Sequence, residues 1–263
     1  MISTIARPAR GITAAGPLLH LTAPARAAVD FGLLTTSAPL LAALPRGDGH
    51  PVLVLPGLGA TDSSTITLRA VLRRLGYRTY RWRLGRNIGP TQRAVHGRRA
   101  RLDQLTTRFG QPVSLIASSL GGNYARQLAR RTGHAVRQVI TLGSPIRLAR
   151  KGQSHANRLI GDYSHWHIET WDLPVEHGHG PLPVPATSIY SPLDGSLVWR
   201  TGVNEPAPQA EHIAVSASHL GFGHHRAVIW AIADRLAQPA GHWAPFRPPP
   251  LLRPAHLLGE RQP

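Results

Sequence analysis

Apolar residues in this chain gather in short blocks, and the stretches between the blocks carry apolar residues at helical spacing. Val52-Leu53-Val54-Leu55-Pro56 is a continuous apolar run of the kind buried on both faces of a parallel sheet. Tyr77 to Leu84, the β-branched run from Val113, Val136 to Pro145 with a loop at its end, Ala186 to Ser191 and Glu211 to Ser216 read as further strands. Helical spacing falls over Ala25 to Leu44, Thr65 to Leu75, Thr91 to Phe109, Leu120 to Arg131 and His224 to Leu236. Strands alternating with helices at this spacing predict an α/β fold, a doubly wound and mostly parallel sheet with helices on both faces.

The same pattern divides the chain. Residues 1–49 form an N-terminal extension, irregular to about residue 24 and then helical, which packs on the domain or lies on a membrane surface. Residues 50–238 form the α/β domain, with a lid-like insertion over about 146–184 where the rhythm breaks. Residues 239–263 are a proline-rich tail, expected to pack loosely.

Composition narrows the chemistry. At 263 residues with 42% hydrophobic content, a core of ordinary size is easily built. Cysteine is absent, which excludes disulfides, thiolate metal sites and cysteine nucleophiles. The formal charge of +17 comes from 30 basic against 13 acidic residues, and Lys151 is the only lysine. Arginines run from Arg7 to Arg261 without a block, and no zinc-finger, RNP-type or basic-zipper pattern accompanies them, so nucleic acid is not the predicted partner. With acids scarce and arginines spread, the charge reads first as a solvated surface, with an anionic membrane surface as the alternative partner. Arg93, Arg98, Arg99 and Arg101 read as the solvent side of the Thr91 to Phe109 helix. No uninterrupted apolar segment with a cleavage site follows Met1, and Pro17 to Leu44 carries His20, Arg26, Asp30 and several prolines. The expectation is a soluble cytoplasmic protein, with no fixed oligomeric state.

Candidate chemistry centres on Ser114-Leu115-Ile116-Ala117-Ser118-Ser119-Leu120-Gly121-Gly122. A strand runs into small residues around a serine and then into a helix, giving A-x-S-x-G with Ser119 at its centre. So tight a turn needs small residues two before and two after the nucleophile. Ala117 and Gly121 meet that for Ser119, whereas Ile116 and Leu120 fail it for Ser118. A serine hydroxyl also needs an imidazole base held in one tautomer by an acceptor. Asp194 and His219 follow predicted strands and complete the chain order Ser, Asp, His. Asp162, Glu169, Asp172 and Glu176 lie in the insertion, and Glu205 and Glu211 precede the last strand's end. His212 within that strand and His224 or His225 at a helix start are the rival bases.

Two other motifs have competing readings. Gly57-Leu58-Gly59-Ala60-Thr61-Asp62 gives G-x-G-x-x-D, a dinucleotide fingerprint lacking its third glycine, with Arg81 or Arg83 placed to meet a 2′-phosphate. As a glycine turn after an early strand, it fits better as a source of backbone donors for an oxyanion. His165/His167 and His177/His179 each put two imidazoles on one side of an extended backbone, which suits metal ligation or simply a polar loop. No metal site and no cofactor are assigned.

Taken together, Val52 to Ser64, Trp82 to Pro90, Ser114 to Arg126, Thr141 to Pro145, Ser188 to Gly195 and Ser218 to Gly223 resemble the α/β-hydrolase superfamily, in particular its bacterial lipase/esterase-like members. The resemblance spans about His50 to Gln238. It implies that Ser119 attacks an acyl carbonyl, that His219 serves as base and then acid, and that Asp194 orients it. It also implies oxyanion donors from the backbone N–H groups of Leu58 and Leu120. Ala117 departs from the first elbow glycine, and Pro56 stands where many members have a histidine. The implied activity is hydrolysis of a small-molecule ester or lipid through an acyl-serine. Acyl transfer or amide cleavage by the same residues, and a non-catalytic protein that binds lipid or an acidic partner, are the alternatives.

Overall fold

The computed structural model describes residues 16–147, 157–168 and 180–256. Two helices open it, α1 (Pro17–Thr35) and α2 (Ala38–Ala42). There follow β1 (Pro51–Leu55), α3 (Ile66–Arg74), β2 (Arg78–Arg81), α4 (Gln92–Phe109), β3 (Val113–Ser118), α5 (Leu120–Arg131) and β4 (Val136–Leu142). A short α6 (Asn157–Asp162) precedes β5 (Ala186–Tyr190), β6 (Ala210–Ala214) and α7 (Arg226–Ala237). The strands form one sheet in the order β2-β1-β3-β4-β5-β6, every pair parallel.

Alternation along the strands explains the two layers. Val52 and Val54 of β1 face one side, with Leu68 and Leu72 of α3, Leu34 of α1 and Val228 and Ile232 of α7. Leu53 and Leu55 face the other, with Leu102 and Leu105 of α4 and Tyr124 and Leu128 of α5. A period of two in a strand buried on both faces demands an unbroken apolar run, which is what β1 supplies. The strand order reverses between β1 and β3. In open α/β sheets that switch point opens a crevice at the carboxyl ends of the strands, and here it lies between the Gly57 loop and Ser119.

Several sequence expectations need correcting. The first helix begins at Pro17, inside the stretch read as irregular, because proline suits the first turn and Ala23, Ala27 and Leu34 then reach the core. Strand β2 is shorter than Tyr77 to Leu84: Tyr77 precedes it and Trp82 to Leu84 have already turned away. Two of the four arginines assigned to the solvent side of α4 are buried, Arg98 at 3% and Arg101 at 9% exposure. Arg98 lies over the Tyr124 ring at 4.5 Å and donates to Gln127 Oε1, and Arg101 donates to the Arg81 carbonyl, so each planar cation is stacked or bonded where it leaves water.

The tail does not pack loosely where it is described. Leu252 is 2% exposed, and the Phe246 N–H donates to Glu211 Oε2 at 2.8 Å. Of the insertion, His167 Nε2 meets the Ile88 carbonyl at 2.9 Å, while His177 and His179 lie outside the described residues. No described helix is long and apolar enough to cross a membrane.

Candidate active site

Ser119 closes β3 and opens α5. Its backbone sits at φ 48°, ψ −126°, a conformation that side chains with a Cβ rarely adopt. Among the described residues only Arg83 is another non-glycine residue with positive φ. The strain is held by packing and hydrogen bonds on every side. The Ser119 N–H donates to the Leu142 carbonyl and the Ser119 carbonyl accepts from Gly122 N–H, both at 2.9 Å. Gly121 passes so close to β1 that a Cβ there would lie 2.6 Å from the Pro56 carbonyl oxygen. The small-residue requirement read from the sequence is therefore a real contact.

The loop after β1 approaches the same serine. A Cβ on Gly57 would stand 3.0 Å from Ser119 Cβ. Neither the Leu58 N–H nor the Leu120 N–H has an acceptor among the described residues. They are the two donors that the family resemblance implies. The loop is clamped by Asn87, fully buried, whose Nδ2 donates to the Pro56 carbonyl at 2.9 Å. Backbone bonds complete the clamp, Gly59 N–H to Asn87 O at 2.7 Å and Asn87 N–H to Ala60 O at 2.8 Å. Asp62, the acid of the G-x-G-x-x-D reading, instead accepts from the Trp82 and Arg83 N–H groups at 3.0 and 3.1 Å. Asn87 had no role in the sequence reading. Its only signal was an amide side chain within a Gly- and Arg-rich loop.

Asp194 and His219 come together. Asp194 is buried after β5, and its Oδ1 accepts from the Ser196 and Leu197 N–H groups, both at 2.8 Å. Its Oδ2 lies 2.7 Å from His219 Nδ1, and the His219 N–H donates to the Asp194 carbonyl at 2.8 Å. An ionised carboxylate only accepts, so Nδ1–H of His219 is the donor in this bond. The Asp194 carboxylate and the Phe222 ring pack against Gly143, at the end of β4. Ser119 bonds to the preceding residue of that strand, so the ends of β3, β4, β5 and β6 converge.

The rivals are occupied elsewhere. Glu211 holds Arg235 at 2.6 Å, and His224 Nε2 meets the Ala27 carbonyl at 2.8 Å. His212 stands beside the Tyr190 ring within β6, and His225 is buried, 3.4 Å from Ser216 Oγ. Among the described residues no group of three His, Asp or Glu side chains is placed to hold a metal ion.

Helix α1 rests on both loops that carry Asp194 and His219. Arg26 donates to the Leu193 carbonyl at 2.8 Å, Ser218 Oγ donates to the Ala23 carbonyl at 3.2 Å, and the Leu19 carbonyl packs directly on Gly195.

No protein-family model matches the chain, and no curated protein matches it by sequence. Solved structures do match it. The mature form of the Bacillus licheniformis lipase BlEst2 is 15% identical with a TM-score of 0.52, the match covering 74% of this chain and 94% of that one. A structure described with the metagenome-derived lipolytic enzymes LipS and LipT gives 14% identity and a TM-score of 0.54, covering 73% of this chain and 93% of that one. Aspergillus fumigatus lipase B gives 14% identity and a TM-score of 0.57, covering 77% of this chain and 57% of that one. With its all-parallel sheet, its switch point and its strained turn at the end of β3, the chain has the α/β-hydrolase fold.

Proposed function

We propose that the protein is a serine hydrolase that cleaves carboxylic esters through an acyl-serine intermediate. The reading rests above all on Asp194 Oδ2 at 2.7 Å from His219 Nδ1, on loops after β5 and β6, with Ser119 held at positive φ at the end of β3. In this reading His219 Nε2 takes the Ser119 proton as Oγ attacks the acyl carbonyl. The Leu58 and Leu120 N–H groups, free of other acceptors, receive the negative oxygen that develops. Collapse of the tetrahedral intermediate breaks the ester C–O bond, and His219 returns the proton to the departing alkoxide. Water, deprotonated by the same nitrogen, then hydrolyses the acyl-serine. Buried Asp194, its other oxygen filled by two amides, holds the ring and stabilises the imidazolium. No metal or cofactor takes part. Solved proteins of this fold that are named lipases and lipolytic enzymes support an ester as the substrate.

A fluorophosphonate probe tests the assignment. It is expected to label the wild-type protein at one site and to leave Ser119→Ala unlabelled. Equal labelling of the two, or none of either, overturns it.

A further inference from the structure

The outer face of α1 is apolar. A surface helix ordinarily turns one stripe to the core and presents polar residues to water, and a helix apolar all round belongs in an apolar surrounding. Ala23, Ala27 and Leu34 of α1 point inward. On the opposite side, at helical spacing, Leu18 is 73% exposed, Leu21 75%, Val29 61% and Leu33 41%. The helix's two charged residues are both drawn inward: Arg26 to backbone carbonyls and Asp30 toward His225. Its outer face carries no charge.

This face continues into the candidate site. Besides α1, the exposed large apolar residues among the described residues are Ile66, Trp166, Leu193, Leu220 and Leu251, and all but Leu251 lie in segments that follow the carboxyl end of a strand. Leu193 and Leu220 adjoin Asp194 and His219 in the chain. Exposed Arg83, Arg86 and Arg200 lie on loops at the same end of the sheet. Of the acids there among the described residues, Asp62 is engaged by backbone amides and Asp194 by His219, leaving Asp162 exposed. Apolar side chains in quantity at one end of a chain of charge +17 suit an anionic lipid surface. Acyl chains take the leucines, and headgroups take the arginines.

We propose that the outer face of α1, with Leu193 and Leu220, is the surface by which the protein docks on anionic lipid assemblies, presenting Ser119 to ester groups held at that interface. The substrate side of this proposal rests on the ester-hydrolase reading; the docking surface does not. Because α1 lies on the loops of Asp194 and His219, docking through it sets the distance and orientation of the site relative to the lipid. An interfacial helix of this kind buries its apolar face at the headgroup boundary.

Flotation of the full chain with phosphatidylcholine vesicles, with and without phosphatidylglycerol, at low and high salt, tests this. The wild-type protein is expected to float with the phosphatidylglycerol vesicles and to be partly released by salt. The double variant Leu21→Asp, Val29→Asp is expected to lose at least about tenfold in vesicle partitioning. Its circular dichroism and its hydrolysis of a water-soluble short-chain ester should stay unchanged, because neither side chain is buried or placed at the site. Arg200→Gln is expected to weaken binding by a smaller factor and to reduce its salt dependence. Failure of the wild type to float overturns the docking surface, as does equal flotation of the double variant. Sedimentation as a dimer that the double variant converts to monomer also overturns it, since a second copy then covers the face. Flotation by a protein that cleaves no ester supports the surface and defeats the hydrolase reading alone.

Discussion

A histidine–aspartate pair lies at each end of this sheet. At the carboxyl end, Asp194 holds His219 near the strained turn of Ser119. At the amino end, Asp48 Oδ1 lies 2.5 Å from His50 Nδ1, and His50 Nε2 lies 2.9 Å from Ser114 Oγ. Judged by hydrogen bonds alone the second is the more complete. It is nevertheless a structural network. His50 and Ser114 are both buried, Ser114 is the second residue of β3, and the ring packs edge-on against Tyr77 at 5.0 Å. Burial lowers the His50 pKa. Burial also opposes the Asp48 charge, but hydrogen bonds from Arg137 and His50 outweigh it and hold the carboxyl well below its usual range. What distinguishes the two ends is access, backbone strain and free backbone donors, and only the carboxyl end has all three.

The largest effects that sharpen this contrast are in catalysis. Ser119→Ala is expected to lower ester turnover by on the order of 10⁴-fold, and Asp194→Asn by roughly 10²- to 10⁴-fold, measured on a soluble ester. Ser114→Ala, which removes the corresponding hydroxyl at the amino end, should leave turnover within about twofold. A comparable loss in Ser114→Ala would erase the distinction. Next comes the clamp on the Leu58 loop: Asn87→Ala is expected to reduce kcat by roughly 10- to 100-fold with a smaller change in KM, because a misplaced donor weakens the transition state more than the ground state.

Stability provides the smaller effects. Burial pushes His225 down to about 4, helped by the charges of Arg226, His256 and His224, and burial alone pushes His256 to about 4. Both values lie below the ordinary imidazole value of 6.5, so between these limits the unfolded chain binds more protons than the folded one. Stability is therefore full above about pH 6.5 and declines as pH falls toward 4, seen as a falling Tm. His256→Leu should make that decline shallower, and an unchanged slope would exclude His256 as a contributor. The smallest change is in Ser114→Ala, expected to cost about 1–2 kcal/mol in urea unfolding by leaving His50 Nε2 without a partner.

Much of this architecture was legible in the sequence, for identifiable reasons. The strands were visible because burial on both faces forces runs such as Val52 to Leu55. Ser119 was separable from Ser118 because the turn tolerates only small residues where Ala117 and Gly121 stand, a local steric rule. The pairing of Asp194 with His219 was legible from chain order and strand ends. Asn87 was not, because its function is to bond to Pro56, distant in sequence, and nothing in its own neighbourhood records that partner. Arg98 and Arg101 were misread for a related reason. A charged residue in a helix is assigned to solvent unless a partner is known, and Tyr124 and the Arg81 carbonyl are partners that only folding supplies.

The sequence by itself determined the sheet, its two apolar faces and the order of the serine, aspartate and histidine, since each follows from local periodicity and turn sterics. Tertiary structure alone decided that Asp48, His50 and Ser114 join at the amino end, which arginines leave water, and that α1 turns apolar faces both inward and outward. Those outcomes depend on contacts between residues far apart in the chain, and no local pattern encodes them.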